Sequence, residues 1–318
     1  RIPYLPINAD HIDRDSGKLS VIILPNLGVM TDNQIAAVKR FVQGGGGVIA
    51  TGESSLYNEW GDRLSDYGLA NIFGAHITSF TEPDLRKQSA EAYHTYLRVL
   101  PEMRSNFDGP ETNMKPQPGA VRHPILKGFD ETDIISYGGL LNPLKRDAGA
   151  DVLMTFIPQF PIYPPETAWM REPVTDIPGL IINTIHGSGR IAFLPADIDR
   201  QFGRYNLPDH GDLLANIVRW AAKDEIPLAV DCAGLIDCNI YRQPGNLILH
   251  LVNLTSTGTW RQPLDEYIPV GPANVKIRLP ESVQGKKLRL LVAKKELPVT
   301  TEKGWAMFTV NSITDHEV

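Results

Sequence analysis

The sequence predicts an α/β domain over residues 1–224, a mostly parallel sheet with helices on both faces, followed by a small all-β sandwich over 225–318. Three observations predict it. Short apolar runs, Lys18–Pro25 (Lys-Leu-Ser-Val-Ile-Ile-Leu-Pro) and Val48-Ile49-Ala50-Thr51, read as strands covered on both faces. The segment between them carries the start signal, apolar stripe and glycine stop of a helix, so the two strands are expected to be parallel neighbours joined by a right-handed crossover. Beyond Pro227 the apolar pattern changes to period two, with short runs parted by turns such as Pro244-Gly245-Asn246 and no helical period.

Each element has its own reason. Lys18–Pro25 is the first strand. Thr31-Asp32-Asn33-Gln34 has capping-box form, Ile35, Val38 and Val42 fall on one helix face, and Gly44 supplies the stop. Val48–Thr51 is the next strand, and Asp62–Phe73, closed by Gly74, reads as a second helix. In Glu91–Leu100 β-branched and aromatic residues dominate, which favours a strand over a helix. Arg104–Pro118 has no periodicity and reads as a loop, and His123-Pro124-Ile125-Leu126 as a packing turn. Strands follow at 133–137, 151–157 and 179–186. The last turns through Gly187-Ser188-Gly189 into a hairpin partner at 190–195. A helix over 212–223 closes the domain, and Lys223-Asp224-Glu225-Ile226-Pro227 marks the boundary. In the sandwich, strands are expected at 247–254, 274–279, 287–293 and 305–310.

Length and composition bound the function. At 318 residues two domains are the natural expectation, and 42% hydrophobic with 21% charged residues is an ordinary globular balance. A net charge of −6 without a basic cluster argues against nucleic-acid binding, which needs groups that neutralise phosphates. No apolar run approaches the roughly 20 residues of a membrane-spanning helix. The start at Arg1 and the stop at Val318 read as those of an internal piece of a longer protein. Cys232 and Cys238 are the only cysteines. Two buried free thiols are expected, with a disulfide across a hairpin, which would hint at export, as the alternative; a bacterial periplasmic or extracellular location is favoured over a cytoplasmic one.

The order strand, helix, Gly44-Gly45-Gly46-Gly47, strand and then Gly52-Glu53-Ser54-Ser55 resembles the approach to the nucleophile elbow of class I glutamine amidotransferase-like domains, a flavodoxin-like architecture. There a sharp strand-to-helix turn exposes a cysteine, and here the first 231 residues hold none. Neither Gly52 nor Ser54 can replace a thiolate of low pKa. Leu19–Asn26, Phe41–Gly46, Val48–Thr51 and Leu69–Gly74 together look like a β-galactosidase trimerisation-type domain, which follows the catalytic (β/α)8 barrel in family 42 glycoside hydrolases and related proteins. Gly189–Arg200 and Pro208–Leu214 are similar to its second half, and His250–Leu254 with Ile268-Pro269-Val270 to the sandwich behind it. The resemblance implies that the catalytic carboxylates lie on an upstream barrel and that this region is not catalytic. It also implies a homo-oligomer in the full-length protein. It implies no cofactor, and no galactoside specificity is inherited.

Candidate contact residues lie in three places. Glu53, Tyr57, Glu59 and Trp60 surround the emptied elbow, at the strand carboxyl ends where α/β sheets bind ligands. Asp197, Asp199, Arg200, Asp209 and His210 form the densest polar group, read first as loop-anchoring and helix-capping contacts. An Asp–His catalytic pair or a mixed oxygen–nitrogen metal site is the sharper and less favoured reading. Tyr163, Glu166 and Trp169 sit in a Pro-rich loop whose residue types suit a sugar or a protein partner. Three functions follow: a non-catalytic assembly region of a glycoside hydrolase, a carbohydrate-binding module, or a self-sufficient hydrolase using Asp197, Asp199 and His210. The first is favoured.

Overall fold

The computed structural model describes residues 1–78, 95–103, 121–130, 132–138, 141, 144–157, 166, 177–185, 189–256 and 266–318. The chain divides into two compact units, Ile7–Glu225 and a second made of Arg1–Pro6 with Ile226–Val318. The first six residues therefore go with the second unit. There the Arg1 guanidinium donates to the carbonyls of Gly234 at 2.8 Å and Val230 at 3.4 Å.

The larger unit contains β1 (Val21–Leu24), β2 (Gly47–Thr51), β3 (Ala75–Ile77), β4 (Tyr96–Val99), β5 (Ile134–Ser136), β6 (Leu144–Arg146), β7 (Asp151–Ile157), β8 (Pro178–Ile185) and β9 (Gly189–Leu194). Its helices are α1 (Ile12–Asp15), α2 (Asp32–Gln43), α3 (Ala70–Phe73), α4 (Ile198–Tyr205) and α5 (Pro208–Ala221). Seven strands form one sheet in the order β1-β2-β9-β8-β7-β4-β5, and β3 pairs separately with β6. The α/β class stands, but the sheet is mixed and not mostly parallel. Only β1–β2 and β2–β9 are parallel; β9–β8, β8–β7, β7–β4 and β4–β5 are antiparallel. The link between β8 and β9 is too short for a parallel crossover, so those strands form a hairpin with Ile185 opposite Gly189.

Period-two side chains sort the sheet into two cores. Ile22 and Leu24 of β1, Val48 and Ala50 of β2, and Ile191 and Phe193 of β9 pack with Ile35, Val38 and Val42 of α2 and with α3. Ile49, Ala192 and Leu194 point the other way, onto Leu213, Ile217 and Ala221 of α5. Helices thus cover both faces, as expected. On the first face Phe73 stacks on Phe193 with centroids 4.2 Å apart, and Tyr67 meets both rings edge-on.

The capping box of α2 is formed. Thr31 Oγ1 accepts the Gln34 amide at 3.2 Å, and Gln34 Oε1 accepts that of Thr31 at 3.0 Å. The helix expected over 62–73 shrinks to α3, because local side chains take the backbone amides first. Asn58 Oδ1 accepts from Trp60 and Asp62, and Asp66 Oδ1 accepts from Tyr67 and Ile77. Residues 56–64 fold instead as a tight hairpin-like loop, with the Leu64 amide on the Leu56 carbonyl. A second difference is α4, unforeseen in the sequence. A third is the start of α5, which begins four residues early on Pro208, a residue suited to a first helical turn. The expected turn at His123–Leu126 is a 3-10 turn over Pro124–Leu126 that buries Ile125 and Leu126. Residues 104–118 lie outside those described.

The smaller unit holds β10 (Leu228–Asp231), β11 (Ile236–Gln243), β12 (Asn246–Asn253), β13 (Ala273–Arg278), β14 (Leu288–Leu290), β15 (Lys295–Leu297), β16 (Thr300–Glu302), β17 (Trp305–Val310) and β18 (His316–Glu317). The sheets β10-β13-β17-β16 and β11-β12-β18 are antiparallel, and residues of both enter one core around Val230, Ile236, Leu251, Val275 and Ile277. Cys232 and Cys238 are free and buried in that core, and burial pushes the Cys238 thiol up.

Asn253 is the polar hub of this unit. Its buried amide nitrogen lies 2.8, 3.2 and 2.7 Å from the carbonyls of Ile268, Ile313 and Thr314, and its Oδ1 accepts the Thr255 amide. A buried carbonyl left without a donor costs about 1–3 kcal/mol. Asn253→Ala is therefore expected to destabilise this unit by about 3 kcal/mol, read as a lower urea midpoint for the transition of its Trp305 fluorescence.

Candidate functional site

The site is built at the carboxyl ends of β1, β2 and β9. Gly52 leaves β2 with φ +59, and its amide donates to the Leu194 carbonyl at the end of β9. This is the left-handed conformation that a nucleophile elbow demands, and that an L side chain holds only at a cost of about 1–2 kcal/mol. A sharp turn leaves β2 at Gly52, and no helix follows it directly. Glu53, Ser54 and Ser55 continue as tight turns, and Ser55 itself takes φ 64.

Asn26, just past β1, fills the space a nucleophile would use. A Cβ on Gly52 would stand 2.6 Å from Asn26 Oδ1. That oxygen accepts the Glu53 amide at 2.8 Å, while the Asn26 amide donates to Thr51 Oγ1 at 2.9 Å. Ser54 cannot substitute. Its hydroxyl is fully buried between the carbonyls of Leu24 and Thr51 and accepts the Leu27 amide.

The acidic and histidine candidates have separate partners. Thr51 Oγ1 donates to Asp199 Oδ2 at 2.9 Å, and Asp199 Oδ1 is buried with no hydrogen-bond partner among the described residues. Burial raises the Asp199 pKa, opposed by the Thr51 hydrogen bond. Asp197 accepts from the Tyr137 hydroxyl at 2.7 Å and pairs with Arg200. Burial and then the Asp197 charge push the Tyr137 phenol well up. His210 is fully buried on α5. Its Nε2 donates to the Ser136 carbonyl at 2.6 Å, its Nδ1 has no hydrogen-bond partner among the described residues, and burial lowers its pKa. The imidazole is thus bound to neither aspartate, and the geometry of an Asp–His catalytic pair is not formed. Among the described residues no three His, Cys, Asp or Glu side chains are arranged to hold a metal ion.

The remaining candidates are scattered. Glu53 accepts from the Tyr57 hydroxyl at 3.1 Å, which unites those two. Glu59 is exposed beside a shallow polar groove shared with Asp10, Asp32 and Arg40. Trp60 stands at the tip of the 56–64 loop with 82% of its surface exposed. Glu166 is exposed. Tyr163 and Trp169 lie outside the described residues. Sequence reasoning missed Asn26 and Tyr137. The one signal for Asn26 was its place in Pro25-Asn26-Leu27-Gly28, a turn-forming run directly behind a strand.

Such an arrangement can anchor loops, but it holds no exposed nucleophile. The fold is one found within solved glycoside hydrolases. The chain aligns over 94% of its length with α-L-fucosidase isoenzyme 2 from Paenibacillus thiaminolyticus, at TM-score 0.62 and 18% identity, covering 40% of that chain. It aligns over 96% with the β-galactosidase from Bacillus circulans sp. alkalophilus, at TM-score 0.54 and 15% identity, covering 34% of that chain. Gan42B, a GH42 β-galactosidase from G. stearothermophilus, gives TM-score 0.51 and 13% identity over 96% of this chain and 32% of its own. The chain thus spans less than half the length of these enzymes. No family model matches it, and no curated protein sequence matches it.

Two outcomes follow from the geometry. Gly52→Cys is expected to destabilise the larger unit by about 2 kcal/mol from backbone strain alone, with the Asn26 clash in addition. The new thiol should react with iodoacetamide no faster than an unactivated cysteine, and Asn26→Gly should recover part of the lost stability in thermal melts. For His210 the folded pKa lies below the ordinary 6.5. Its contribution is therefore complete above that pH and is lost as pH falls below it, where the unfolded chain takes up the proton. His210→Gln should flatten this acid loss, seen as a smaller difference in urea midpoint between neutral and mildly acidic buffer.

Proposed function

We propose that this chain is the non-catalytic C-terminal region of a glycoside hydrolase-like protein. In this reading the larger unit, Ile7–Glu225, is a trimerisation-type domain that braces an upstream catalytic barrel and contributes to subunit assembly, with the smaller unit as the attached sandwich. The observation that carries it is the emptied elbow. The positive φ of Gly52 is retained, Asn26 occupies the side-chain space, and the helix whose N-terminus would stabilise a thiolate is missing. The fold shared with a fucosidase and two β-galactosidases supports a carbohydrate-degrading parent, and the coverage of those enzymes leaves most of their length for a separate catalytic part.

The test is activity of the chain alone. Aryl α-L-fucosides, aryl β-D-galactosides and γ-glutamyl anilides are expected to show no turnover. Turnover that Glu53→Gln or Asp199→Asn abolishes would overturn the reading.

Assembly has its own expectation. A tryptophan held 82% exposed on a loop pinned by Asn58 is the residue type that anchors protein interfaces. Light scattering of the full-length protein should show an oligomer that Trp60→Ala weakens at least tenfold in dissociation constant, an ordinary loss for an anchor of about 1.4 kcal/mol or more. An oligomer unchanged by the substitution removes Trp60 from the interface.

A further inference from the structure

We infer that the β3–β6 ribbon is a pH-sensitive latch, held closed when His76 bridges Asp66 and Asp147 as an imidazolium and loosened when that ring loses its proton. The geometry is two-sided. His76 Nδ1 lies 2.6 Å from Asp66 Oδ2, and His76 Nε2 lies 3.2 Å from Asp147 Oδ1. A neutral imidazole has one N–H and can donate to only one carboxylate. The imidazolium donates to both, so only the charged ring completes the bridge.

The two carboxylates come from separate segments. Asp66 belongs to the turn ahead of α3, where its other oxygen accepts the amides of Tyr67 and of Ile77 in β3. Asp147 follows β6 directly, and its amide donates to the Gly74 carbonyl at the end of α3. His76 itself sits mid-strand in β3, opposite Lys145 of β6. One ring therefore adds a bond between three pieces of chain that are otherwise joined by a three-residue ladder and by the Asp66–Ile77 and Asp147–Gly74 hydrogen bonds.

Among the described residues the other charged groups on these elements are Glu59, Asp62, Arg63, Lys145 and Arg146, and Asn58 donates to the Asp62 carboxylate at 3.3 Å. Arg146 turns its guanidinium to the Ala150 carbonyl, and Arg63 lies on the loop ahead of Asp66. Lys145 is the ladder partner of His76 and is exposed. The Asp66 hydrogen bond is the largest cause of a His76 pKa above the ordinary 6.5, with the charges of Asp66 and Asp147 adding to it against partial burial. The sign follows. The bridge is complete below pH 6.5 and is lost as pH rises through the elevated folded value.

Amide hydrogen exchange across Ala75–Ile77 in the full chain, corrected for intrinsic base catalysis, reads the latch directly. Protection factors there are expected to fall severalfold between mildly acidic and mildly alkaline buffer, while those of β2 stay constant. His76→Gln should show low protection at every pH. Asp66→Asn disturbs the backbone contacts of its turn, so Asp147→Asn is the second variant, expected to lower the ring's titration midpoint in NMR and to shift the loss of protection to lower pH. Protection that is independent of pH in the wild type, or a pH dependence that survives in His76→Gln, overturns the inference.

Discussion

Every residue of β2 is buried, and both of its edges are hydrogen-bonded, to β1 on one side and β9 on the other. The larger unit depends on this double enclosure. Such a strand is filled by side chains that pack on a pleated, buried surface, and Gly-Val-Ile-Ala-Thr supplies small and β-branched ones. At its start, Gly47 lets the end of α5 come so close that a Cβ would lie 2.5 Å from the Ala221 carbonyl. At its end, Thr51 is the last ladder residue and the first polar one, and from it the hydrogen bonds to Asn26 and Asp199 fan out. The polar site is in effect the cap on a buried strand.

This explains why the carboxyl end of the sheet is so well furnished with polar residues and yet offers no exposed nucleophile. In a nucleophile elbow the backbone strain is compensated by a side chain that does chemistry. Here the positive φ falls on glycine, which adopts it without strain, and the side-chain space is taken by an asparagine that ties two strand ends together. Asp197, Asp199 and His210, which share a stretch of sequence that could serve a hydrolase, are each drawn to a different partner. Tyr137 and Arg200 hold the first, Thr51 the second and the Ser136 carbonyl the third. The polar groups are used in holding loops.

Much of the fold was legible in the sequence because it rests on local signals. The capping box and apolar stripe mark α2, and the apolar runs and alternation mark β7 and β17 to the residue. The hairpin of β8 and β9 was legible from its glycine turn. Its consequence was not, because each strand stacked beyond β8 takes its direction from a pairing made at long range. The helix α4 escaped notice because Ile198 and Phe202 are a thin stripe and Gly203 interrupts it. At the site, the absence of cysteine before Cys232 was legible in the sequence. The contact of Asn26 with Gly52 was not, because Asn26 reaches Gly52 only through the parallel register that sets Leu24 beside Ala50.

The sorting of side chains into two cores has a consequence for how this sequence can drift. Val48 and Ile49 are neighbours in the chain but belong to different clusters, whereas Val48 shares its cluster with Ile191, Ile22 and Val38. A change of volume at Val48 is felt on the α2 side and little on the α5 side. Substitutions on opposite faces should then combine additively, and those on one face should couple. Compensating changes among relatives should accordingly pair strand positions with the helix on the same side, so that co-variation along β2 alternates between two sets that do not communicate.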